Sequence, residues 1–182
     1  MGYEAALAKA WSPLTKGARD TESVRVLGDE YTVDFSAKRV SSVSCAIPAK
    51  DFISILVLHY LAKRRSGIPP VTGEWISFRE LDGGDGYYTA FKKRVLDRIV
   101  KKYGAHPEAL PEKTPILNAR KASFKDISVI IDVFDGVPVL VTLQAGDEEF
   151  DPEAHLFFDR SIKEILCTED VAVMADLVVS WL

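Results

Sequence analysis

Cysteine is scarce. Cys45 and Cys167 are the two in 182 residues, and they stand far apart. With no CxxC pair and no Cys/His cluster, the spacing offers no structural zinc or iron–sulfur site and no metal ligand set on this chain. Both cysteines have apolar neighbours, so two buried free thiols are expected. Long hydrophobic runs are missing too. The longest, Phe52 to Leu61, is broken by Ser54 and His59 and is too short to cross a bilayer. The opening MGYEAALAKAW lacks the basic-then-apolar pattern of a secretory signal, and Ala6 stands where a myristoylation site needs Ser or Thr. A reduced, cytoplasmic protein with no membrane partner is expected. Nor is there an excess of positive charge. Lys plus Arg is 23 against 27 for Asp plus Glu, a net charge of −4. That balance argues against a nucleic-acid partner, which requires a net basic face.

What is present suits a globular protein. The hydrophobic fraction is 47%, and the length is enough for one domain over 1–182 with a real core. Residues 3–17 read as a first helix, weakened by Pro13. Val24–Leu27 and Tyr31–Phe35 read as strands around a turn at Gly28-Asp29-Glu30, and Arg39–Ser44 as a weak third strand. Pro48 then leads into a helix over Asp51–Arg65 that ends at Gly67. It is apolar on nearly every side and is therefore expected to be central. Ala105–Phe124 is irregular, with a short helix expected around Pro107–Leu110. Ser128–Phe134 and Val137–Leu143 flank Asp135-Gly136, a hairpin signature, and are rich in β-branched residues. The acidic stretch Gly146–Asp159 reads as a solvated loop, since its spacing is not that of a calcium-binding loop. Leu156–Phe158 reads as a strand and Ser161–Leu166 as a short helix. Thr168 is the expected N-cap of a last helix over Val171–Trp181. Helices and strands are grouped rather than alternating. The fold class is therefore α+β: a single domain with a mainly antiparallel sheet, a central apolar helix and packed flanking helices.

The most distinctive stretch is GEWISFRELDGGDGYYTAFKKRVLDRIVKKYG, Gly73 to Gly104. Three glycines in four positions, Gly83, Gly84 and Gly86, read as a turn able to take positive φ. A helix follows, with Phe91, Val95, Ile99 and Tyr103 recurring every four residues and Gly104 as its cap. In one reading, the turn and the helix start form an anion pocket, with Lys92 or Lys93 adding charge. In the other, the glycines only turn the chain and the aromatics are core. The spacing is neither a P-loop nor a dinucleotide fingerprint.

The segments GYEAALAKAW, LHYLAKRRSGIPPVTGEWISFRELDGG with the following aromatics and FKKRV, and GDEEFDPEAHLFFDRSIKEILCTEDVAVM resemble the family called domain of unknown function 3786. The resemblance runs over nearly the whole chain, and the GEW-SFREL and TED-A segments carry it most specifically. It implies an origin among anaerobic bacteria and archaea. It also implies a setting near corrinoid proteins of one-carbon metabolism, where some members are fused to an iron–sulfur module. This chain lacks the cysteines for such a cluster. The resemblance marks Glu74, Trp75, Phe78, Arg79 and Glu80 as signature residues and supplies no catalytic ones.

The expected function is a non-enzymatic binding or accessory module for a cofactor, a small molecule or a protein partner. Its working surface is Glu74, Trp75, Arg79, Glu80, Tyr87, Tyr88, Lys92 and Lys93: rings for flat contacts, cations for carboxylates or phosphates. One alternative is an enzyme using Glu74, Glu80 or His59 as general acid or base. Another is a structural subunit of a larger assembly. The residues leave the cofactor and ligand open.

Overall fold

β-Branched residues bounded by Asp135-Gly136 build the most buried part of the chain. In the computed structural model, β6 (Ile127–Phe134) and β7 (Val137–Gln144) form that hairpin, and β7 is buried from Val137 through Leu143. The structure describes residues 2–14, 20–113, 115, 117–124 and 127–182. The end of the expected first helix, 15–17, lies outside them. The described residues form helices and two antiparallel sheets, an α+β fold, and the chain divides into two compact units, Met1–Pro69 and Pro70–Leu182.

In the first unit, α1 (Glu4–Trp11) runs into a 3-10 turn at Ser12–Leu14. Strands β1 (Thr21–Val26), β2 (Asp29–Asp34) and β3 (Arg39–Ser42) pair antiparallel in that order. The β1–β2 turn is at Leu27-Gly28, one step earlier than expected, with Leu27 at φ 55°. Its reason is visible in β2. Asp29 is buried, and its carboxylate accepts from the Ser42 and Ser44 hydroxyls and from the Glu30 and Ser44 amides, which fixes Asp29 inside the strand register. Helix α2 (Asp51–Ser66) packs against α1, β1 and β3. Its last turn is anchored by Arg64 and Arg65, which both reach Glu22.

In the second unit, β4 (Trp75–Ser77), β5 (Ala119–Lys121), β6, β7 and β8 (Glu153–Asp159) form a sheet of order β4-β8-β7-β6-β5. A 3-10 turn at Phe78–Glu80 follows β4, and another at Pro107–Lys113 lies against β6 and β5. A continuous helical segment then runs from Gly84 to Tyr103: α3 (Gly84–Phe91), a π-turn at Lys92–Leu96 and α4 (Asp97–Tyr103), lying against β8. A short α5 (Ile162–Ile165) precedes α6 (Thr168–Trp181).

The π-turn accounts for the four-residue repeat. In a regular α-helix each step of four overshoots a full turn by about 40°, so Phe91 to Tyr103 should drift by about 120°. One π-turn inserts a surplus residue, worth about 100°, and cancels most of that drift. Phe91, Val95, Ile99 and Tyr103 accordingly all stay buried. The Tyr103 hydroxyl donates to the Leu182 carbonyl, tying α4 to the end of α6.

The strap before β4 is held from below. Asp159, buried in β8, accepts from the Thr72 amide and hydroxyl, the Gly73 amide at 2.7 Å and the Ser161 amide at 3.0 Å. Burial alone would push its carboxyl up. The hydrogen bonds from Ser161, Thr72 and Gly73 outweigh that and hold it below the usual aspartate range.

No described helix is long and apolar enough to cross a membrane. Both cysteines are exposed, against the expectation of buried thiols. An apolar sequence neighbourhood does not bury a residue in a turn, as at Cys45, or at a helix entrance, as at Cys167.

Candidate functional site

The signature stretch folds around its own turn. Ser77 and Glu80 form a capping box: the Glu80 carboxylate accepts from the Ser77 amide at 2.7 Å and the Ser77 hydroxyl at 3.0 Å. Those bonds, the backbone one foremost, hold the Glu80 carboxyl below its usual range. The box aims Phe78 inward, where its ring stacks on Phe91 with centroids 4.0 Å apart.

The glycines have separate roles rather than one. Of the three turn glycines Gly83 takes positive φ, 72°, as α3 begins. Gly84 and Gly86 are already helical, so the helix starts inside the expected turn. Gly84 is needed for proximity: a Cβ there would lie 2.0 Å from the Phe78 carbonyl oxygen. Gly104 is the C-cap, as expected, in a right-handed conformation at φ −59°; a Cβ there would meet the Val100 carbonyl oxygen at 2.6 Å and press on Pro152.

Thr168 does not cap α6 with its side chain. It occupies the first helical position, and its hydroxyl donates to the Asp82 carbonyl at 2.8 Å. That bond pins the glycine turn to the start of α6. Beside the pin lies a groove of about 480 Å3, lined by Asp82, Gly83, Gly86, Tyr87 and Arg94 on one wall and by Thr168, Glu169, Ala172 and Val173 on the other. A second hollow of about 300 Å3, bordered by Lys163 and Cys167, shares Asp82, Thr168 and Glu169 with it.

Charge is divided along the groove. Arg94, in the π-turn, donates to the Tyr87 hydroxyl at 3.3 Å and to Asp176 at 3.4 Å. Arg98 holds the other Asp176 oxygen at 2.6 Å. Two guanidiniums thus share one carboxylate. The Tyr87 hydroxyl, ahead of Asp176, favours the charged form of Arg94. Asp82 and Glu169 line the end where α6 begins, Asp82 with its carbonyl on Thr168 and Glu169 with its side chain near Cys167. Just outside, the exposed Cys167 thiol donates to Asp170 at 3.2 Å. Partial desolvation, then the nearby carboxylates, raise its pKa to about 11.

The family model for a domain of unknown function, DUF3786, matches residues 11–181. The chain belongs to the DUF3786 family. No curated protein and no solved structure matches it.

In this DUF3786 chain the eight residues expected at the surface are distributed as follows. Glu74 pairs with Arg160 at 2.6 Å. Trp75 is half-buried on the edge strand β4, opposite Asp159. Arg79 lies over the Tyr88 ring, 4.1 Å from its centroid, and 3.7 Å from Asp85. Glu80 caps Ser77. Lys92 pairs with Asp97 at 2.7 Å, which raises its pKa, and Lys93 is exposed. Tyr87 alone of the eight lines the groove. His59, half-buried in α2, belongs to the first unit, whereas Glu74 and Glu80 belong to the second. Arg94, Thr168, Ala172 and Val173 were not singled out as site residues from sequence. The signal for Thr168 and Ala172 was the TED-A segment, whose i, i+4 spacing puts them on one helix face. Among the described residues no group of three or more His, Cys, Asp or Glu side chains comes together as a metal site. The acidic loop folds on itself, with Asp147 accepting from the Glu149 and Phe150 amides.

Proposed function

We propose that this chain is a non-enzymatic binding module, and that its binding face is the groove between the glycine turn and α6. One observation carries the reading. The TED-A segment and the glycine turn that follows GEW-SFREL, distant in sequence, are bonded through Thr168 and Asp82 beside a cavity of about 480 Å3. That volume is within the usual range for a small organic ligand, roughly 300–1,000 Å3. The walls combine a ring and two small aliphatic side chains with three charged residues, Asp82, Arg94 and Glu169, apolar surface with polar groups that can fix orientation. The alternative of an enzyme based on Glu74, Glu80 or His59 gains nothing here. Glu74 is paired with Arg160 and Glu80 is spent on a capping box. The setting the resemblance implies, anaerobic corrinoid and one-carbon metabolism, supplies the pool from which ligand or partner would come.

The test is native mass spectrometry of protein purified anaerobically from its host, as wild type and as Val173→Trp, which fills the groove. A small-molecule mass retained by wild type and absent from the variant supports the reading. Retention by both proteins, or a stoichiometric protein partner held equally by both, moves the binding face elsewhere.

A further inference from the structure

Resting on that reading of the groove, we propose that its ligand is an elongated small molecule with an anionic group at one end, a cationic amine at the other and a flat apolar body between them. The charges of the groove dictate this. Its cationic end is Arg94. Glu169 lies seven residues before Asp176 on α6, about 10 Å along the axis at 1.5 Å per residue. Asp82 is joined to the same end through its carbonyl and Thr168. The groove is therefore positive at the π-turn and negative at the glycine turn, over the length of a small molecule.

Arg94 is loosely held. Its two bonds, at 3.3 and 3.4 Å, are long for a guanidinium, whereas Arg98 keeps Asp176 at 2.6 Å. A ligand carboxylate can take Arg94 in a bidentate pair without stranding Asp176, because Arg98 still neutralises it. Arg94 is also about half exposed, so it can turn towards the ligand without leaving a buried site. Ala172 and Val173 form a low wall with room for a ring, and Tyr87, 44% exposed, offers a face or edge to it. A ligand with two negative ends would meet Asp82 and Glu169 unfavourably. One with two positive ends would meet Arg94. Specificity thus comes as much from the mismatched charge as from the matched one.

Two-dimensional NMR titration of the full chain with 4-(aminomethyl)benzoate, benzoate, benzylamine and benzyl alcohol tests this. The zwitterion should bind tightest and move the amides of Tyr87, Arg94, Glu169 and Val173. Arg94→Gln should weaken it about tenfold, to the level of benzylamine. Glu169→Gln should weaken it about threefold, to the level of benzoate, and added salt should weaken it further. Both sites are exposed, and an unchanged spectrum away from the groove verifies that each variant is folded. If all four probes bind the groove alike and neither variant alters the order, the charge inference is overturned and the groove stands as a binding face. If no probe moves a groove amide at millimolar concentration, the inference and the groove reading fall together.

Discussion

Gly84 and Gly86 are two residues apart in the first turns of α3, yet alanine should act on them in opposite directions. At Gly84 the new Cβ would sit 2.0 Å from the Phe78 carbonyl, where real contacts do not fall below 3.0 Å. The obstacle is backbone, so α3 has to retreat by about 1 Å. Such overpacking costs about 1–3 kcal/mol. The retreat also parts the Phe78 and Phe91 rings, now at 4.0 Å, and forfeits some of a stack worth about 1 kcal/mol. Alanine's better helix propensity returns up to about 1 kcal/mol. The net loss is about 2 kcal/mol. At Gly86 nothing lies within 4 Å of the added Cβ, and only the propensity gain remains, about 0.5–1 kcal/mol. With a urea slope of about 2 kcal/mol per M, the midpoint should fall by about 1 M for Gly84→Ala and rise by a few tenths for Gly86→Ala. Following the β7 amide resonances through the titration confines the measurement to the second unit. Equal midpoints for wild type and Gly84→Ala would show that α3 does not press on the Phe78 turn.

Asp159→Asn turns an amide N–H towards backbone donors and should cost about 2–3 kcal/mol in chemical denaturation. Because the folded Asp159 pKa is depressed, its contribution is present above the unfolded value of about 3.9 and is lost as pH falls through the folded value. The variant's stability should therefore fall less steeply than wild type's from about pH 4 downward, and parallel acid limbs would refute this. Thr168→Val keeps the shape but removes the bond to Asp82, for a loss of about 1 kcal/mol; hydrogen exchange should quicken at Gly83 and Gly84, and unchanged rates there would contradict the pin. Cys167, with a pKa of about 11, is about one part in ten thousand thiolate at pH 7. Its alkylation by iodoacetamide should be slow despite exposure and rise about tenfold per pH unit to near pH 10, with Asp170→Asn faster at every pH; a rate already at its plateau by pH 9 would contradict it.

The elements that could be read from sequence are those with a strong local period. Helix α2 and the β6–β7 hairpin match expectation within a residue at each end, because Pro48, Gly67 and Asp135-Gly136 mark their limits. Strand β4 went unseen: three residues carry no period, and its place is set by pairing with β8, remote in sequence. The start of α3 was misjudged because glycines suggest a turn by composition, and only contact with the Phe78 carbonyl shows why a helix needs Gly84. Sequence alone puts Glu80 on the binding surface, whereas its carboxylate closes a capping box on Ser77, a local role that needs no ligand. The groove was half legible. Its turn stood out by its rare residues, but its second wall lies some eighty residues away, and no periodicity reports which helices meet.

One surplus residue in a helix leaves a mark in chain length rather than in composition. Family members with an unbroken helix would align with a single-residue gap between positions 92 and 96, and their helix faces on either side of it would differ in phase by about 100°. Lengths in that window, rather than identities, would then divide the family into chains that keep this helix face in line and chains that do not.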